Sequence, residues 1–371
     1  MYPWLQKTYD FLVDSYHANK LHHAYLLVFD GDIGQEELIA RFSQFLLCKE
    51  NQNHELREAC GKCRACQAYS LKSNTDLFDL HLDDPSKAIS IDTVRTMIDR
   101  VGLEPSISSQ NVVTILDASK LGTKPANAML KTLEEPPPHT VFLIGLPAGF
   151  SILPTIRSRC LVLHLPQPDQ EQIEEFLTAK EIHQPERSYL KSLAPGQPAL
   201  MLKMQEKNFV RSFLQLNQHL LQLFSNLEVD DFVAAFDCKD SEVFIWQLEA
   251  LSKTLTYAGK KFFLNSNDTF DALDAVINFE QNSAFALAVE HIQQNLQKDS
   301  DVEKLYDLVD RLLVLQTQLK LFTPQLGVEG SLLGIAYKVA SLTALFAYSL
   351  MNISDAQTFY RQQLEEQKLK N

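Results

Sequence analysis

Within the first 165 residues, five short apolar runs alternate with helical patterns, and that alternation is what most limits how the chain can fold. The runs are Ala24–Phe29, Phe78–Leu82, Val112–Leu116, Val141–Ile144 and Leu161–Leu165. As near-continuous apolar stretches they indicate strands buried on both faces. Between them, apolar residues recur at helical spacing: Leu5, Phe11, Leu12 and Tyr16, then Leu38, Ile39, Phe42 and Phe45, then Val94, Met97, Ile98 and Val101. Strands alternating with helices give a parallel sheet covered on both sides, so a doubly wound α/β domain is expected over residues 1–165.

Proline divides the rest. Fourteen of the fifteen prolines lie at or before Pro198, so a loop-punctuated first half gives way to a helical second half. Pro166-Gln167-Pro168 breaks the pattern after the last strand. Residues 166–207 then read as a small helical domain, with Ile173, Phe176 and Leu177 on one face, and 208–371 as an all-α domain. Helices are expected there at Phe213–Phe224, Val243–Leu255, Ala284–Leu296, Val302–Leu319 and Ser331–Leu350. The most apolar stretch, Leu332–Met351, carries Lys338 in its interior and reads as a buried helix, not a membrane span. The first residues show neither a basic nor an apolar leader region, so a cytoplasmic protein without membrane contact is expected.

Four of the six cysteines fall between positions 48 and 66. Cys60-Gly-Lys-Cys63-Arg-Ala-Cys66 spaces three thiols two residues apart, with Cys48 twelve residues upstream. In a reducing compartment such clustering points to metal and away from disulfides, and thiolates at this spacing reach one tetrahedral ion. An iron–sulfur run would want a cysteine where Ser70 stands. One structural zinc per chain on Cys48, Cys60, Cys63 and Cys66 is expected, in a module at about 48–70, with His54 as the alternative to Cys48.

The turn after the first strand, Phe29-Asp-Gly31-Asp-Ile-Gly34-Gln35-Glu36-Glu37, is where a doubly wound fold binds phosphate. A G-x-x-x-x-G-K-[ST] loop puts lysine on the β/γ phosphates and a hydroxyl on magnesium. With Gly34 as its second glycine, the first falls on Phe29, the lysine on Gln35 and the hydroxyl on Glu36. Glu36 and Glu37 would face the phosphates with like charge. After Asp117, the position of a water-activating glutamate holds Ala118. This domain is therefore expected neither to bind nor to hydrolyse ATP, and Gly31, Gly34, Gln35 and Glu36 to form only a tight turn. A net charge of −13 likewise argues against broad nucleic-acid binding. The alternative readings are an unusual NTPase working through its altered loop and a zinc-dependent adaptor.

Ile156-Arg-Ser158-Arg159-Cys160 lies just before the last strand. Two arginines beside a serine can make ordinary surface pairs. An arginine at a domain rim can also enter a neighbour's nucleotide site and stabilise transition-state charge.

These segments together resemble the AAA+ clamp-loader subunits of bacterial DNA polymerase III, and among them the delta-prime family. The resemblance spans at least residues 21–205. It rests on Leu21-His-His-Ala-Tyr-Leu-Leu27, the four-cysteine module, Asn127-Ala-Met-Leu-Lys-Thr-Leu-Glu-Glu-Pro-Pro137 and Thr155-Ile-Arg-Ser-Arg-Cys160. Gamma/tau subunits share the last two motifs and the cysteines but keep an intact phosphate loop and an Asp-Glu pair; the absence of both here selects delta-prime. The resemblance implies a P-loop-type AAA+ α/β domain with a five-stranded parallel sheet, a small helical lid, and an all-α collar. The collar would join a hetero-pentameric ring with gamma/tau and delta subunits. It also implies that Arg159, supported by Ser158, acts as an arginine finger toward ATP in an adjacent gamma/tau subunit. Such a ring opens the sliding clamp and places it on primed DNA, which this chain would meet indirectly. Asn74-Thr75-Asp76 departs from the family's frequent His-Pro-Asp, and Ala194-Pro-Gly-Gln-Pro-Ala199 lacks the phosphate-sensing arginine of active members.

Overall fold

A computed structural model describes residues 1–53, 55–80, 88–226, 229–251, 335–341 and 343. They fall in two compact units, Met1–Lys180 with Gly196–Leu200, and Glu181–Pro195 with the residues from Met201 on.

All five expected strands form in the first unit: β1 (Ala24–Phe29), β2 (Leu77–Asp79), β3 (Asn111–Ile115), β4 (Thr140–Pro147) and β5 (Leu161–His164). They make one parallel sheet in the order β2-β3-β4-β1-β5. The second strand is shorter than Phe78–Leu82. It ends at Asp79, Leu80 keeps one bond from its amide to the Thr114 carbonyl at 2.9 Å, and 81–87 lie outside the described residues.

Alternation along β1 sorts its side chains between two helical layers. Ala24 and Leu26 enter a buried cluster with Val113, Ile115, Phe142 and Ile144 of the neighbouring strands. That cluster is covered by Val94, Met97 and Val101 of α4 (Ile91–Val101) and by Ala126, Met129 and Leu133 of α5 (Thr123–Glu134). On the other face Tyr25 meets Phe42 of α2 (Gln35–Leu47) edge-on at 6.5 Å, and Phe42 meets Tyr9 of α1 (Gln6–His17) at 6.4 Å. Each such aromatic contributes about 2–3 kcal/mol by leaving water. At Gly145 of β4 the backbone leaves no room for a side chain: a Cβ would stand 2.3 Å from the Leu116 carbonyl oxygen.

The helix ends are closed by side chains. Asn51, fully buried, donates from Nδ2 to the Phe45 and Leu46 carbonyls at the end of α2 and accepts from the Tyr16 hydroxyl at 2.8 Å. Ser90 caps α4 through the Thr93 amide at 3.1 Å. Asp169 and Gln172 form a capping box on α7 (Gln170–Ala179), after the short helices α3 (Arg64–Ser70) and α6 (Pro154–Arg157). Phe176 of α7 packs its ring on Tyr2 and Trp4 at 5.0 and 5.3 Å, which ties α7 to the sheet unit.

Asp76 anchors the start of β2. Its carboxylate, 3% exposed, accepts from the amides of Ser106, Ile107 and Ser108, each at 2.8 Å. Burial pushes its pKa up, but these three donors outweigh burial and hold it below the ordinary value. A depressed folded value means the contribution is complete above the unfolded pKa of about 3.9 and is lost as pH falls through the folded one. Asp76→Ala, which takes the acceptor from the amides of Ser106, Ile107 and buried Ser108, should cost about 3 kcal/mol in urea unfolding at pH 7. The gap to wild type should narrow below about pH 4, and an unchanged gap there would remove the charge from the explanation.

The second unit is helical where it is described: α8 (Glu186–Leu193), the later part of α9 (Pro198–Glu206), α10 (Phe209–Asn226), α11 (Val229–Ala234), and helical residues at 241–251 and 335–341. Its core joins Phe209 to Trp246 edge-on at 5.5 Å, and Phe236 to Phe232 and Phe244 at 5.3 and 5.5 Å. Buried Gln247 donates to the Ser212 hydroxyl and the Ala235 carbonyl and accepts from the Asp237 amide. The helix expected at Phe213–Phe224 lies within α10, and that from Val243 is helical as far as residue 251. Those expected at Ala284–Leu296 and Val302–Leu319 lie outside the described residues, as does most of Ser331–Leu350. No described helix is long and apolar enough to cross a membrane.

Candidate functional site

The turn leaving the C-terminal end of β1 is filled by the chain itself. Gly31 and Gly34 take φ values of +65° and +93°, a region that favours glycine. A Cβ on Gly34 would strike the Tyr2 ring at 2.1 Å, and one on Gly31 would meet Cγ of Gln197 at 2.6 Å. The Asp32 amide donates to Gln197 Oε1 at 3.2 Å, and the Ile33 amide donates to Gln35 Oε1 at 3.0 Å. Carbonyls of the same turn accept from Trp4 Nε1, Gln167 Nε2 and the Ala199 amide. The residue in place of a phosphate-binding lysine thus closes the loop from within, and amides that would cradle an anion have side-chain partners. Glu36 and Glu37 stand in the first turn of α2, as expected.

At the end of β3 the Asp117 carboxylate caps the following turn, accepting from the Ser119 amide at 2.9 Å and its hydroxyl at 2.5 Å. Ala118 is 3% exposed and belongs to the apolar cluster under α4 and α5. A general base has no place there.

The four cysteines converge at the far end of α2. Their Sγ atoms all lie within 4.8 Å of one another, and Cys60 and Cys66 are 4.0 Å apart. Zinc–sulfur bonds of about 2.3 Å give a tetrahedron with sulfur–sulfur edges of about 3.8 Å, so the donor set fits a soft tetrahedral dication. Cys48 ends α2, Cys63 caps α3, and Cys66 lies within α3. Amides of Glu50 and Cys60 donate to Cys48 Sγ at 3.4 Å, and that of Cys63 to Cys60 Sγ at 3.3 Å, orienting the sulfurs and favouring their thiolate form. Burial pushes the Cys48 and Cys66 thiols up. At Cys63 burial is outweighed by the amides of Lys49 and Cys66 and by neighbouring thiols, and the value falls to about 7. The intervening loop is pinned to α1: Arg57 pairs with Asp10 and Asp14, and the Tyr9 hydroxyl donates to the Arg57 carbonyl at 2.9 Å. His54 lies outside the described residues. Cys160 and Cys238 stand apart from the cluster.

Arg159 lies on the opposite edge of the sheet from the turn. β5 runs parallel to β1, with Leu161 level with Tyr25 and His164 with Val28, so Arg159 is beside the beginning of β1. The turn at Gly31–Gly34 follows its end. Six residues of strand separate the edges by about 20 Å. The guanidinium donates from Nη1 to the Thr155 carbonyl at 2.6 Å and from Nη2 to Glu134, with which it forms an ion pair. Ser158 is exposed, and its hydroxyl donates to the Thr155 carbonyl at 3.1 Å.

The sequence model of a family described as DNA polymerase III, delta subunit, matches residues 4–169. The DNA polymerase III subunit delta' of Haemophilus influenzae is 32% identical over 257 residues, covering 64% of this chain and 77% of that protein. The chain belongs to the DNA polymerase III delta-prime family of clamp-loader subunits. The delta' subunit of Escherichia coli is 33% identical over 205 residues, 55% of this chain, and the matched part spans 60% of the Escherichia coli protein. Relatedness extends to the tau/gamma subunit of Haemophilus influenzae, 30% identical over 184 residues, which are 47% of this chain and 26% of that one.

The motifs single out the cysteines, the altered turn and Arg159, but not the side chains that pack against them. Tyr2 and Gln197 lie 32 and 163 residues from Gly34 in sequence, and no periodicity links them to it. Glu134 was visible in the Leu-Glu-Glu-Pro motif, but nothing in the spacing pairs it with Arg159.

Proposed function

We propose that this chain is a non-hydrolysing subunit of the DNA polymerase III clamp loader that completes the ATP site of a neighbouring gamma/tau subunit with Arg159, Ser158 supporting it. The observation that carries this is the opposition of the two edges. The chain's own nucleotide turn is filled by Tyr2, Gln35 and Gln197, and Arg159 is about 20 Å from it, so any phosphate within its reach is held by another molecule. Zinc on Cys48, Cys60, Cys63 and Cys66 would hold the excursion between α2 and β2 as a closed structural site. Residues 166–207 are the lid and 208–371 the collar through which the chain joins gamma/tau and delta subunits in a hetero-pentameric ring. The ring opens the sliding clamp for primed DNA in the cytoplasm.

Equilibrium dialysis with labelled ATP and magnesium should detect no tight binding to the isolated chain. Reconstitution with gamma/tau and delta subunits should yield a complex that loads the clamp. Magnesium-dependent ATP binding would instead favour an NTPase using the altered loop, and failure to enter the complex would favour an adaptor.

A further inference from the structure

We propose that Glu134 is a positioning residue for Arg159, holding one edge of the guanidinium so that its other edge meets the neighbour's phosphates. This rests on the in-trans reading above. Glu134 is the last residue of α5, and the chain turns from it into β4 at the same edge of the sheet as Arg159. The Thr155 carbonyl takes Nη1 and the Glu134 carboxylate takes Nη2, so the two acceptors grip the end of the fork. Among the described residues Nε has no hydrogen-bond partner. Nε–H and the second N–H of Nη2 form a side-on pair, the geometry that takes two oxygens of a phosphate.

The backbone below is fixed as well. The Ser158 amide donates to the Pro154 carbonyl at 2.9 Å and the Arg159 amide to the Ile156 carbonyl at 3.0 Å. The Arg159 and Glu134 side chains remain 30% and 49% exposed, so their attraction is screened and easily exceeded by a polyphosphate. The carboxylate therefore orders the arginine without trapping it. A free arginine would have to be ordered anew at each engagement.

In the reconstituted ring, Glu134→Ala should slow ATP turnover at the served site about two- to fivefold, the kinetic equivalent of an exposed ion pair. The KM for ATP should not change, since another chain binds the nucleotide. Glu134→Gln keeps an acceptor oxygen and should recover most of the rate; Glu134→Asp, one methylene too short, should not. Arg159→Ala run alongside separates the two ideas. If it leaves turnover unchanged, the in-trans reading itself fails. If it slows turnover while Glu134→Ala does not, the positioning role alone is overturned. A faster Glu134→Ala ring also overturns it, because the carboxylate would then be holding the arginine back. Should Glu134→Ala fail to assemble on gel filtration, the contrast between the Gln and Asp variants decides, and equal rates for those two reject the proposal.

Discussion

Cys66→Ser should abolish stoichiometric metal binding and unfold the loop and helix between Cys48 and Ser70. Cys66 is fully buried and supplies one of four mutually close sulfurs, so no other group among the described residues can replace it. Structural zinc contributes roughly 10 kcal/mol or more of apparent binding free energy, comparable with the total stability of a domain. Elemental analysis should give one zinc per wild-type chain and close to none in the variant, with a lower thermal midpoint for the first unit. Cys238→Ser, outside the cluster, should keep its metal and serves as the control. Zinc well below one per wild-type chain would reject the four-cysteine assignment.

Arg159→Ala should leave assembly intact and slow phosphate release at the one served site by about 10³, the lower range for an arginine supplied to a phosphoryl-transfer site. Pre-steady-state phosphate release can isolate that phase from sites completed by other subunits. Arg159→Lys should recover little, because an ammonium keeps the charge but loses the planar fork. Unchanged phosphate release in a properly assembled Arg159→Ala ring would sink the assignment.

The sheet was legible because strands covered on both faces must be apolar along their whole length, and a parallel sheet must place helices between them. At β2 the residues alternate and the apolar pattern runs on to Leu82, whereas the strand ends at Asp79 with one further bond from the Leu80 amide. The departures at Gln35, Glu36 and Ala118 are legible in the sequence, since phosphate chemistry demands particular residue types at those positions. The side chains that pack into the turn are not. Filling a turn with Tyr2 and Gln197 depends on tertiary packing, which leaves no local period. Asn74-Thr75-Asp76 departs from the family's frequent His-Pro-Asp, yet Asp76 accepts from three backbone amides and Asn74 bonds to the Ala65 carbonyl and Ser108 hydroxyl. Short polar residues carry such roles through backbone geometry that composition does not reveal.

The two tryptophans give the protein its own optical labels. Trp4 belongs to the sheet unit and Trp246 to the helical one, and both are buried. Trp4 donates to the Ile33 carbonyl at the filled turn. The 13-residue α2 that starts there runs roughly 20 Å to Cys48. A Trp246→Phe chain would therefore emit from a single indole seated at one end of a rod whose other end carries the first of the four clustered cysteines. Adding a zinc chelator to that chain would show whether a disturbance at the cysteine cluster reaches the far end of the rod. A Trp4→Phe chain would report the helical unit alone.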